Sequence, residues 1–215
     1  MNLIMFDIDG TLVQSSDFDE EIYLKTAYEV LGREISSNWD QYSHGTDSGI
    51  LYEALDRYKI SGDKEPIHDK FKATFLNHIF EYIEENSNDI SEVKGASEFI
   101  KYLRGRNDIK IAIATGAWEE SGKLKLEAAG IDINGLPFAS SSDHYDRTEI
   151  MKLAEARVVG KTDFLSKIYF GDAPWDKKAC EILNYRFVAV GNRVKNEIQI
   201  PDYQQKEKIM EMLNL

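Results

Sequence analysis

The stretch Met5-Phe6-Asp7-Ile8-Asp9-Gly10-Thr11-Leu12 ends an apolar run that begins at Asn2. It reads as a β-strand over residues 2–8 that delivers two carboxylates, two residues apart, into a tight turn. Alternate residues of a continuing strand share a face, but here the strand is ending, so Asp7 can point into a site while Asp9 enters the turn. Two aspartates in one small space repel each other unless a cation or a shared proton compensates. Asp-Gly-Thr also makes an ordinary turn after a strand, so this segment needs company before it carries function.

Two other segments keep it company. In Ile168-Tyr169-Phe170-Gly171-Asp172-Ala173-Pro174-Trp175-Asp176 a short apolar strand again brings a carboxylate to its C-terminal end. Asp176 follows four residues on, in the first turn of a helix, a spacing that can place both carboxylates beside one hard cation. Ile111-Ala112-Ile113-Ala114-Thr115-Gly116 ends in a hydroxyl and an unobstructed backbone N–H, both suited to a phosphate oxygen. Open α/β sheets bind ligands outside the carboxyl ends of their strands. Three strand ends with complementary groups therefore sum to a magnesium and phosphate site.

Further strands are expected at 136–139 and 186–190, with helices over 118–129, 145–158, 174–183 and 202–213. This alternation of strands and helices is that of an α/β fold with a parallel sheet. About a hundred residues separate the first two strands, too many for one crossover helix. Apolar positions from Ile22 to Leu31, stopped at Gly32, from Ile50 to Leu55, and from Phe71 to Ile83 mark three helices there. An inserted helical domain over 15–89 is expected, with the α/β core formed by 1–14 and 90–215.

Composition narrows the function classes. The 215 residues carry 26 Lys and Arg against 38 Asp and Glu, a formal net charge of −12. That balance argues against nucleic acid, whose nonspecific binding rests on cationic neutralisation of phosphates. It leaves room for a small anionic substrate where a metal carries the charge. No apolar run approaches the ~18 residues of a membrane span, and with one cysteine, Cys180, no internal disulfide can form. A cytoplasmic setting is the expectation. The composition says nothing of oligomeric state.

The motifs together resemble those of the haloacid dehalogenase superfamily. Asp7-Ile8-Asp9-Gly10-Thr11, Thr115-Gly116 and Gly171-Asp172 through Asp176 look like its first, second and fourth motifs, in order along nearly the whole chain. The helical insert resembles its C1-type cap. The resemblance implies a Rossmann-like doubly wound parallel sheet of order 3-2-1-4-5. It also implies Mg²⁺ held by the Asp7 carboxylate, the Asp9 backbone carbonyl, Asp172 and Asp176. Asp7 would be the nucleophile that forms an aspartyl phosphate, and Asp9 the acid and base. Thr115 and Gly116 would bind the phosphoryl group.

The family usually places a lysine as its third motif. Here the best-placed cation is Arg147, whose forked guanidinium can hold phosphoryl oxygens; Lys152 and Lys161 are alternatives. Relatives that act as dehalogenases or phosphonatases lack an aspartate at the position of Asp9. The expected activity is hydrolysis of a small phosphorylated metabolite, with a phosphomutase on the same core chemistry as the alternative. A noncatalytic binding protein would be expected to lose one of these aspartates, and a dinucleotide-binding dehydrogenase lacks its Gly-x-Gly-x-x-Gly after the first strand. In the insert, Ser43-His44-Gly45-Thr46-Asp47-Ser48-Gly49 joins two helices. His44 and Thr46 are its candidate substrate contacts, while Thr46 or Asp47 can equally cap the next helix.

Overall fold

Residues 2–6 form a strand buried along its whole length, as a strand paired on both edges and covered on both faces must be. The computed structural model describes residues 1–60, 62–86, 90–160 and 163–215. Its strands are β1 (Asn2–Phe6), β2 (Ile109–Ala114), β3 (Phe138–Ala139), β4 (Ser166–Gly171), β5 (Arg186–Val190) and β6 (Gln199–Ile200). Its helices are α1 (Ser16–Leu31), α2 (Asp47–Arg57), α3 (Glu65–Glu85), α4 (Ala96–Arg104), α5 (Glu119–Ala128), α6 (Arg147–Ala156), α7 (Pro174–Leu183) and α8 (Lys206–Leu213). All six strands form one parallel sheet of order β3-β2-β1-β4-β5-β6.

The expected order 3-2-1-4-5 is therefore present, extended at one edge by β6. That strand is two residues long and half exposed, with no apolar run to announce it. The register sets Phe6 opposite Ile113 on one side and Phe170 on the other. The ends of β1, β2 and β4 thus lie level, and the loops that follow them meet.

Side chains alternate cleanly between two cores. Ile4, Phe6, Ile113, Phe170 and Val188 face one, which continues through Phe99 and Leu103 of α4 into Phe71 and Phe75 of α3. Leu3, Met5, Ala112, Tyr169 and Ala189 face the other, against Ile150 and Met151 of α6 and Cys180 of α7. Phe6, Phe99, Phe170 and Tyr203 pack ring against ring beneath the ends of β1 and β4, a contact type worth ~0.5–1.5 kcal/mol per pair beyond burial.

Helix ends explain where boundaries moved. α1 stops at Gly32, which adopts the left-handed conformation of a helix C-cap and leaves its N–H to the Tyr28 carbonyl. α6 starts at Arg147 rather than at Tyr145 because the Asp146 carboxylate caps it, accepting the Thr148 N–H at 2.8 Å. α8 starts at Lys206 rather than Asp202, whose carboxylate instead accepts the Gln204 N–H in a turn. α4 is not among the helices expected from the sequence. Between β1 and β2 the long helices α1 and α3 pack on each other and α3 packs on α5. Among the described residues, no helix is long and apolar enough to cross a membrane.

Candidate active site

Gly10 turns the chain sharply after β1, with a positive φ of 69° that favours glycine. A Cβ there would collide with the Asp172 carboxylate, so the first and third loops touch at a residue without a side chain. Gly171 stands in the same relation to Asp176. Asp7, Asp172 and Asp176 each present an oxygen within 4.8 Å of the others, all three being buried.

Arg147 closes this cluster. Capping by Asp146 puts it at the first position of α6, where it is 6% exposed. Its Nη1 donates to Asp176 Oδ1 at 2.6 Å, to the Tyr169 hydroxyl at 3.1 Å and to Asp7 Oδ2 at 3.3 Å. Its Nη2 donates to the Gly45 carbonyl at 2.7 Å. Burial works against the guanidinium charge, but Asp176 and Asp7 hold it still more firmly protonated than usual. Lys152, the alternative, pairs with Glu149 on the exposed side of α6, and Lys161 lies outside the described residues.

The carboxylates respond to burial. Asp172 is pushed up to about 7, first by burial and then by the Asp7 charge, with Arg193 at 3.6 Å opposing. Burial also pushes Asp176 up, against the pull of Arg147. Asp176 Oδ2 accepts the Ala173 N–H at 3.1 Å, so this residue caps α7 and anchors Arg147 behind the cleft wall. Asp7 Oδ1 is buried and has no hydrogen-bond partner among the described residues. An orphaned carboxylate oxygen facing two further carboxylates is the environment a divalent cation satisfies, and oxygen donors of this kind suit a hard one. The residues present fit such an ion.

Asp9 takes a different course. Its Oδ1 accepts from Ser15 Oγ and from Lys125 Nζ, each at 2.5 Å, and its side chain stands outside the acidic triad. Thr115 and Gly116 follow β2 as expected. The Thr115 hydroxyl accepts the Ala117 N–H at 3.2 Å, and the Gly116 carbonyl accepts the Asp47 N–H at 2.8 Å. The Gly116 N–H makes no hydrogen bond to the described residues.

These groups line one cleft of about 110 Å³ shared by the strand ends and the inserted helices. Asp7, Asp9, Thr115, Gly116, Arg147 and Asp172 face it, as does Thr46. Thr46 is also the N-cap of α2: its hydroxyl accepts the Gly49 N–H and donates to the Tyr145 carbonyl at 2.6 Å. His44 does not line the cleft. Its ring turns to Tyr145 and to Asp146, 3.8 Å away, and its place on the wall is taken by Gly45. There the loop is so close to the core that a Cβ on Gly45 would strike the Trp175 ring, and one on Gly116 would strike Arg147 and the Gly45 carbonyl.

Sequence reasoning missed Lys125, Asp19, Asp47, Glu20 and Arg193. Lys125 is 0% exposed. Its position beside Leu126 and four residues after Ser121 puts it on the inward face of α5, and that spacing was the available signal. Burial opposes its charge, but Asp19, Asp9 and Asp47 raise it well above the usual lysine range.

The comparisons agree with the fold. The family model described as haloacid dehalogenase-like hydrolase matches residues 4–190. No curated protein matches the sequence. Among solved structures, a hydrolase from Pseudomonas syringae is similar over 99% of both chains, at 19% identity and a TM-score of 0.74. A β-phosphoglucomutase from Clostridium difficile is similar over 100% of both, at 19% and 0.71. CbbY from Rhodobacter sphaeroides, in complex with phosphate, matches over 95% of this chain and 96% of its own, at 13% and 0.66. Likeness at such identities speaks for the fold; the family model, spanning most of the sequence, makes this chain a member of the haloacid dehalogenase-like hydrolase family.

Proposed function

We propose that this chain hydrolyses a small phosphate monoester through an aspartyl phosphate on Asp7. The observation that carries the reading is the unpartnered, buried Oδ1 of Asp7 in a cleft it shares with Asp172 and Arg147. In this reading the two oxygens of the Asp7 carboxylate divide the work, one facing the cation and the other attacking phosphorus as the ester oxygen leaves. Asp9, at the mouth of the turn, protonates the leaving oxygen and then takes a proton from the water that hydrolyses the intermediate. Thr115, the free Gly116 N–H and Arg147 orient the phosphoryl group and oppose its developing charge. Asp7, the Asp9 carbonyl and Asp172 would hold Mg²⁺, with Asp176 completing the acidic set; when bound, the ion shields the anionic nucleophile from the anionic substrate.

The domain division belongs to this reading: residues 15–89 act as a cap over a core of 1–14 and 90–215. A phosphomutase would use the same residues with a sugar hydroxyl in place of water. The cleft favours water. Of its two lining cations, Arg147 serves the transferring phosphoryl group in this reading and Arg193 is engaged with Asp172, and no further Lys or Arg among the described residues lines the cleft to hold a second phosphate. The same reading takes a small phosphorylated metabolite as the partner, in preference to nucleic acid or membrane, and a cytoplasmic setting; the net charge of −12 supports the first preference.

With Mg²⁺ the purified protein should hydrolyse 4-nitrophenyl phosphate, and EDTA should abolish turnover; activity untouched by EDTA would remove the metal from the reading. Asp7→Asn should bring turnover to background while the melting temperature holds or rises, because carboxylate crowding is relieved. Arg147→Ala should lower kcat by about 10²–10³, whereas Lys152→Ala, at an exposed pair, should change it by less than about twofold; steady-state kinetics would rank them. In EDTA, Asp172 binds its proton more tightly folded than unfolded, up to about 7 against 3.8. Its contribution to stability is therefore lost as pH rises through that window. Melting temperature should fall between about pH 4 and 7, and the fall should be shallower in Asp172→Asn.

A further inference from the structure

We propose that Lys125 is a positioning residue that ties docking of the inserted helices to the aim of Asp9. The inference rests on Asp9 acting as the acid of the proposed reaction. Lys125 projects from α5 of the core and is completely enclosed. Its ammonium stands 2.5 Å from Asp9 Oδ1, on the turn after β1, and 2.6 Å from Asp19 Oδ1, in the first turn of α1. One buried cation thus joins the core to the insert through two carboxylates.

Packing alone does not call for an ammonium there. An apolar chain of similar volume would fill the same space without the desolvation cost of a charge. The geometry shows what the charge does instead. Lys125 and Ser15 together occupy Oδ1 of Asp9. Oδ2 has no partner among the described residues, and Asp9 lines the cleft. With one oxygen clamped from behind, the other is turned to the place where a leaving oxygen departs.

The clamp is complete only when α1 is docked. The same seam carries two further links, the Asp47 N–H to the Gly116 carbonyl and the Trp118 N–H to Asp47 Oδ2, each at 2.8 Å. When the insert moves away, Lys125 loses Asp19 and keeps Asp9 alone, so its ammonium is no longer held from both sides. Docking and aiming are then one event.

Two variants and two readouts test this. Lys125→Met removes the clamp; Asp19→Asn keeps Lys125 on Asp9, disturbs folding less, and weakens the link to the insert by removing its charge pairing. In hydrogen exchange, the Asp47 and Trp118 amides should exchange at least about tenfold faster in both variants, with the β1 amides unchanged, as expected of local opening. Unchanged exchange at the two seam amides would overturn the link. In kinetics with Mg²⁺, ring-substituted phenyl phosphates from nitro to methoxy vary how much the leaving oxygen needs a proton. Lys125→Met should lose about tenfold more kcat/KM on the methoxy ester than on the nitro ester, a loss of acid assistance, and Asp19→Asn should follow in the same direction. An equal loss across the series would make Lys125 merely structural. Wild-type protein inert toward every ester would instead count against the phosphatase reading, and the exchange result would still decide the link.

Discussion

The placement of three buried carboxylates around one guanidinium is the constraint on which the other features turn. Asp7, Asp172 and Asp176 arrive from two different strand ends, and each would expel the others without compensation. Arg147 meets two of them directly. It can do so because Asp146 fixes the start of α6 and buries the first residue of the helix. It also reaches across to the Gly45 carbonyl of the insert. A single side chain therefore links β1, α6, α7 and the loop before α2.

The parallel sheet makes that arrangement possible. Because β1, β2 and β4 run the same way in matching register, their C-terminal loops open on one side, and groups far apart in sequence share a small volume. The glycines do the rest. Gly10 and Gly171 let loops approach carboxylates to a distance that no side chain tolerates. The charge of −12 acquires a local meaning: a few acidic residues hold the site, and two buried cations, Arg147 and Lys125, answer them.

Much of this was legible in the order of residues. Strand ends carrying Asp7, Thr115 and Asp172 are recognisable because the apolar run, the turn and the functional group are contiguous. Arg147 could be singled out because it stands near a helix start. Lys125 was harder. Its partners, Asp9 and Asp19, lie 116 and 106 positions away, and a lysine in a helix ordinarily reads as solvated. His44 was misleading for the opposite reason: a polar ring in a glycine-rich loop suggests contact, yet the ring turns toward Tyr145 while the backbone of its neighbour reaches the cleft. β6 escaped notice since two residues carry no periodicity.

The paired glycines at the seam have an architectural result. Where Gly45 and Gly116 meet, peptide planes touch and less than a methyl group of clearance is left, so that flank of the cleft is a closed joint. A neighbouring cleft shares Ser16, Glu20, Trp39, Asp172 and Arg193 with the first, so on that flank the two hollows adjoin. Trp39 and Arg193 stand where the two clefts join, and because Arg193 also lies 3.6 Å from Asp172, a change there reaches the acidic cluster as well as the junction, whereas a change at Trp39 alters the junction alone.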